Sequence, residues 1–348
     1  MTSESIFVLG FIAFVFLILA IDLGLFAKTD KPVSIKRAAI MSVIWITLAL
    51  CFYLIIYNYG QYLHHITSFS SLQAINSTYF HQINLNPNDF LGSLQVYRKN
   101  LALEFITGYT VEYALSVDNI FVIVLVFGAF GVEPKHYHKV LFWGIIGAIA
   151  MRFGFIFIGT TLISHFHWVL YLFGAFLVYT GVTMFIKRND EEKIDTEKHV
   201  VVKYASRYFS VSPNFSGNKF FIKVDKRKLI TPLFLVLLII EFTDLVFAVD
   251  SIPAIFSVTK DPYIVFFSNI FAILGLRSMF FLLVNIIHKF HYLKIGLAGL
   301  LVFIGLKMLA AQYMDMLGLD TTGSLYFIVG ILTISIITSL IFPKKITE

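Results

Sequence analysis

The sequence predicts an all-α, polytopic membrane protein of about nine transmembrane helices, with two inverted three-helix repeats at its centre. The first observation behind this is composition. Hydrophobic residues make up 58% of the chain and charged residues 14%, against about 25% charged in a soluble domain. The mean hydropathy is +0.82. The second is the set of apolar runs near the roughly 20 residues that a membrane-crossing helix needs. The third is a block of three spans that occurs twice.

Taken in order, the runs are Ser5–Ala27, Lys36–Tyr57, Leu101–Phe130, Val140–Ile163, Trp168–Ile186, Pro232–Val258, Tyr263–His288, Leu293–Tyr313 and Ser324–Phe342. Asp22, Lys28 and Lys31 follow the first run at once, with no small-residue cleavage site, so it reads as an anchor and not a cleaved signal. The organisation that follows is two helices in 1–59, an extracytoplasmic loop in 60–100 and a first repeat in 101–188. A cytoplasmic loop in 189–230, a second repeat in 231–314 and a last helix in 315–348 complete it. Both long loops read as solvated connectors. The first carries His64, His65 and His81.

Basic residues set the orientation, because they concentrate in cytoplasmic loops. With the N-terminus outside and the C-terminus cytoplasmic, cytoplasmic loops hold 21 of the 27 lysines and arginines. Eleven of these lie between Lys187 and Lys228. The expected location is the inner (plasma) membrane. The net charge of +6 is thereby accounted for by the bilayer, with no nucleic acid as partner. A single cysteine, Cys51, excludes an intrachain disulfide framework and a cysteine-based metal cage.

The repeat is visible residue by residue. Glu112 to Ile120 reads EYALSVDNI and Asp244 to Ile252 reads DLVFAVDSI. Downstream, IIGAIAMRFGFIF around Arg152 resembles IFAILGLRSMFFL around Arg277. HWVLYLFGAFLVYTGVTMF from His167 then aligns with HYLKIGLAGLLVFIGLKML from His291 without a gap. Three spans is an odd number, so the second copy enters the membrane in the opposite sense. Inverted repeats with polar sites near the midplane are a common construction of secondary transporters.

The leading span of each repeat carries acids deep in the apolar run: Glu112 and Asp118 in one, Glu241, Asp244 and Asp250 in the other. Each costs roughly 2.5–3.5 kcal/mol on insertion scales. Acids six residues apart point about 120° away from each other on an ideal helix. Convergence on one point therefore requires unwinding or a kink, for which Gly108 and Pro253 are the candidates. Asn119 and Ser251 would then add oxygens. Carboxylate, amide and carbonyl oxygens suit magnesium, calcium or manganese. In a purely structural role the same acids pair with Arg152, Arg277 or Lys307, or stay protonated. Two arginines do not neutralise five acids, which favours a cation site. Arg152 and Arg277, in matching places, neutralise the empty site or compete with the cation. His165 and His167 read as an interface feature outside the site, and Glu104 as a vestibule charge.

At EYALSVDNIFV (112–122) and EFTDLVFAVDSIPAIF (241–256), and over 21–50, the chain resembles the TerC family of membrane proteins. The resemblance covers most of the chain. It implies inverted repeats of the lysine-exporter type, similarity to manganese exporters, and acidic site positions at Glu112, Asp118, Glu241, Asp244 and Asp250. The external segment 60–100 departs from the family in being longer. The expected function is export of a divalent cation, most of all manganese, coupled to protons at a midplane carboxylate site. The alternative is a membrane partner that hands metal to secreted enzymes, or to the secretion machinery, during export. No enzymatic activity and no prosthetic group are expected; a two-aspartate membrane hydrolase would carry Gly-x-Gly-Asp, which is missing.

Overall fold

A computed structural model describes residues 3–26, 34–81, 83–166, 168–186, 200–224, 227–284, 292–310 and 321–342. The chain runs as α1 (Ser3–Phe26), α2 (Ile35–Tyr59), α3 (Phe69–Tyr79), α4 (Phe90–Ala129), α5 (Pro134–His165), α6 (Trp168–Ile186) and α7 (Val200–Tyr208). A two-stranded hairpin, β1 (Phe221–Val224) and β2 (Arg227–Ile230), precedes α8 (Pro232–Phe256), α9 (Pro262–Leu283), α10 (Leu293–Leu309) and α11 (Thr321–Ile341). Among the described residues, seven helices are long and apolar enough to cross a membrane: α2, α4, α5, α6, α8, α9 and α11. The other two expected spans fall on shorter apolar stretches, Ile6–Ile21 within α1 and the 17-residue α10. The fold is all-α and polytopic. The hairpin stands outside the spans.

Local chemistry sets the helix starts. Pro134, Pro232 and Pro262 open α5, α8 and α9 at the first turn, where a missing N–H leaves no bond unmade. Asp89 caps α4 by accepting from Gly92 N at 2.8 Å. That cap places the start of α4 well before the expected Leu101. Its 40 residues reach about 60 Å at 1.5 Å per residue, twice the hydrocarbon thickness. The expected breaks are not present. α4 passes through Gly108 and α8 through Pro253 without interruption. Pro253 falls in the last turn of α8. Gly108 serves close packing instead, since a Cβ there would lie 3.0 Å from Ser268 Oγ.

α9 is the axis of the molecule. Its apolar window is buried throughout, and α2, α4 and α5 pack around it. A helix hydrophobic on every side belongs in such a position. Phe267 and Phe271 of α9 mesh with Phe11 and Phe52 from the two N-terminal helices.

The two repeats, α4–α5–α6 and α8–α9–α10, exchange partners. α4 packs on α9 and α5 on α8, while α6 and α10 face each other in extensive contact. Glycines set that last seam. A Cβ on Gly174 would sit 3.0 Å from Gly305 O, and one on Gly181 would sit 2.7 Å from Ala298 O. In the gapless alignment Gly174 corresponds to Ala298 and Gly181 to Gly305. Each contact is thus the other one inverted, as a two-fold relation between the copies requires.

Neither long loop is merely a solvated connector. In 60–100, Leu63, Ile66 and Leu72 are buried against the body. α3 is closed by a reciprocal Ser68–Ser71 capping box. On the other side, β1 and β2 pair antiparallel with Phe221 opposite Ile230. His136 and Lys139 of α5 hydrogen-bond Asn218 of the same segment. The reason is the same in both places: apolar residues spaced among the polar ones give these segments something to bury.

Candidate functional site

Arg152 is the centre of the site. It projects from the middle of α5 and is fully buried. Its Nη1 donates to Glu112 Oε1 of α4 and to Asn269 Oδ1 of α9 at 2.5 Å. Its Nη2 donates to Asp244 Oδ1 of α8 at 3.1 Å, with Nε 3.5 Å from Oδ2. One guanidinium thus bridges a carboxylate from each repeat, at the positions that match in the EYALSVDNI and DLVFAVDSI strings. One guanidinium therefore serves two carboxyl groups in a buried place. Breaking such a pair is costly because the remaining charge stays desolvated.

Glu112, Ser116 and Asn119 are one turn apart along one face of α4. Among the described residues, Glu112 Oε2, Ser116 Oγ and Ser251 Oγ have no hydrogen-bond partner. Asn119 and Asp244 line a small cavity of about 30 Å³ between α4, α5, α8 and α9. That is room for a water-sized guest. Gly144 and Ala148 of α5 and Thr243 of α8 also line it.

The remaining predicted residues are distributed differently. Glu241 is half-buried, one turn before Asp244. Its carboxylate lies against bare backbone, since a Cβ on Gly147 would come 2.0 Å from Oε1. Asp250 turns to α6, where Thr180 Oγ1 donates to it at 3.3 Å. Asp118 is half-buried on α4 and does not line the cavity. Ser251 and Arg277 are buried on α8 and α9. The described conformation therefore does not bring the five acids to one point. Among the described residues no group of three or more His, Cys, Asp or Glu is placed to hold a metal ion. The physical reason is the absence of a helix break, which leaves the angular separation of acids six and nine residues apart in force.

Three contributors lie outside the sequence-derived set: Asn269, Ser116 and Thr180. Asn269 carried a signal, as an amide inside the apolar run FFSNIFAIL. Ser116 is legible only once the face of α4 shared by Glu112 and Asn119 is drawn. Thr180 had no signal, since a threonine bonding its own helix serves equally well in an apolar span.

The family model described as "Integral membrane protein TerC family" matches residues 97–347. An uncharacterized membrane protein of Myxococcus xanthus is 43% identical over 332 residues, 95% of this chain and 91% of that one. A protein of Salmonella typhi named "Putative membrane-bound redox modulator Alx" is 40% identical over 329 residues, 94% and 92% of the two chains. The protein of the same name from Escherichia coli K12 is 39% identical over 305 residues, 87% and 85% of the two. No solved structure matches the chain.

Proposed function

The chain belongs to the TerC family of integral membrane proteins, and from that premise we propose that it exports a divalent metal cation, manganese before others, from the cytoplasm. The observation that carries the proposal is Arg152 standing between Glu112 and Asp244, one acid from each repeat. In this state the guanidinium occupies the place between two carboxylates that a cation would take. The cargo would enter beside Asn119 and Asp244, and the arginine would give way. Glu112, Asp244 and the Asn119 amide oxygen would then form the hard-oxygen set, with Glu241 one turn away as an entry ligand.

Return of protons to the acids would restore the empty site. Rocking of one repeat on the other along the α6–α10 seam would alternate access. We propose the inner (plasma) membrane as the location, with the N-terminus outside. No catalytic residue or prosthetic group has a part in this reading. The lipid bilayer and the metal ion are the partners it requires.

The test is manganese flux into proteoliposomes followed with an enclosed metal-sensitive dye. Asp244→Asn and Glu112→Gln should each lower the rate by about tenfold or more, the scale of losing a metal-site group. Wild-type rates in both would refute the site. Asp118→Asn and Asp250→Asn then measure how far the path extends along α4 and α8.

A second reading is favoured by the ordered external segment. α3 presents an exposed polar face at Ser70, Gln73 and Ser77, on which a secreted metalloenzyme or the secretion machinery could dock. Arginine substitutions on that face should abolish metal loading of a secreted enzyme and leave flux intact if this reading holds. The redox role in the relatives' name has little support here. Cys51 is the single cysteine and is exposed on α2, so no dithiol couple forms within one chain.

A further inference from the structure

On the opposite end from the small cavity, two imidazoles and two carboxylates are sealed inside the protein. His64 Nε2 lies 2.7 Å from Asp261 Oδ2. His81 Nδ1 lies 2.9 Å from Glu104 Oε1. Thr259 joins the pairs: its Oγ1 donates to Glu104 Oε2 at 2.6 Å and accepts from Asp261 N at 3.2 Å. All five residues are buried. His64 and His81 belong to the external segment, Glu104 to the outer part of α4, and Thr259 and Asp261 to the turn between α8 and α9. The network therefore ties the first repeat to the second through residues 60–100.

Two features mark it as more than packing. His65 and Phe80, each next to one of the imidazoles, adopt left-handed backbone with φ of 50° and 54°. Non-glycine residues hold that conformation only where the surroundings over-determine it. Phe80 is the left-handed C-cap of α3 and leads directly into His81. Glu104 and Thr259 also line a cavity of about 110 Å³ beside the network, together with Lys260, Lys307 and Thr321.

We propose that His64, His81, Glu104, Thr259 and Asp261 form the extracytoplasmic gate, an inter-repeat latch that is shut while His81 is protonated and released when it loses its proton. This rests on the transport reading, since the repeats must part on this side for cargo to leave. The groups facing the imidazoles from every packed element are Glu104 of α4, Asp261 of the turn, Tyr79 of α3, Tyr97 of α4 and Tyr263 of α9. Lys260, over the Phe80 ring at 4.5 Å, and Lys307 of α10, which lines the adjoining cavity, are the nearby cations. Lys260 is partly buried, and that burial holds its pKa down.

The electrostatics support the sign. Burial alone would lower the His81 pKa, but the Glu104 carboxylate and its hydrogen bond outweigh it and the value rises above 6.5. Burial would raise that of Asp261, but the His64 pairing outweighs it and the value falls below 3.8. The raised histidine contributes to the closed latch below its unfolded pKa and loses that contribution as pH climbs through the folded one. The depressed aspartate contributes above its unfolded pKa and fails only in strong acid. The latch therefore opens on the alkaline side.

Amide hydrogen exchange of the full chain in lipid nanodiscs tests this without reference to transport. Protection of peptides within 60–81, normalised to α9 peptides at each pH, should fall by about tenfold for each unit above the folded His81 pKa, one proton being released. His64→Gln with His81→Gln should remove the pH dependence, and Thr259→Val should lower protection at every pH. A pH-independent wild type overturns the proposal whether or not the variants fold, and so does a double variant that keeps the wild-type profile. Manganese flux in the same preparations separates the two readings. PH-dependent opening without flux refutes export and leaves the latch, whereas flux without pH-dependent opening refutes the latch.

Discussion

Arg152 is the residue on which the buried charges depend. Arg152→Ala would leave Glu112 and Asp244 uncompensated at the centre of the molecule, a loss of about 3–5 kcal/mol for a broken buried pair. Thermal unfolding in detergent should show a marked drop. Adding Glu112→Gln should recover part of it, because the two positions are coupled and their effects do not add. Equal melting of wild type and Arg152→Ala would show that the contact contributes nothing. Gly147 offers a finer test. A methyl there displaces the Glu241 carboxylate, which is the mobile end of a side chain, and leaves the fold intact. Gly147→Ala should keep or raise the melting temperature, since alanine is favoured over glycine in helices by about 1 kcal/mol, and yet slow manganese flux. Gly154→Ala, on the same helix with nothing within 4 Å of the new methyl, should leave flux unchanged.

Between elements, the α6–α10 seam sets how the repeats meet. Gly305→Ala would place a methyl 2.6 Å from the Gly174 carbonyl, and the obstacle is backbone, which has no rotamer to change. Overpacking of this kind costs about 1–3 kcal/mol and should slow any rocking about the seam. Gly299→Ala in the same helix meets nothing within 4 Å and should be neutral or stabilising in the same melting assay. The length of α4 shows a different limit. Its start was legible in NPNDF, where Asp89 caps the helix, but a hydrophobicity boundary at Arg98–Asn100 drew the element too short. Helical hydrogen bonding continues past the lipid wherever the chain finds a surface to pack on, and Leu94 and Tyr97 find one.

For the whole molecule, orientation is the property that fold and function share. With the N-terminus outside, the His–acid network and the cavity beside Glu104 face the exterior, while the cavity beside Asn119 and Asp244 lies toward the cytoplasm. A fluorescent protein fused to the C-terminus should fluoresce, and alkaline phosphatase fused there should be inactive. The reverse pair of outcomes would invert the proposed direction of transport. The external segment also changes its standing at this scale. A segment that contributes buried leucines and histidines to the body is part of the fold, so its deletion would report on folding and not on partner docking alone.

What the sequence determined by itself is the class, the repeat and the placing of the acids within apolar helices. Lipid makes this legible, because every backbone polar group in hydrocarbon has to be satisfied within its own segment. Apolar length, acid position and the three-span echo therefore translate directly into helices and their order. Tertiary structure alone decided which charges meet. Glu112 and Asp244 share Arg152, while Asp250 turns to Thr180 and Glu241 to Gly147. His64 finds Asp261 from 197 residues away. Such pairings depend on the rotation of each helix about its own axis and on the closeness of its neighbours, which glycine contacts and aromatic packing set from a distance that no local pattern records.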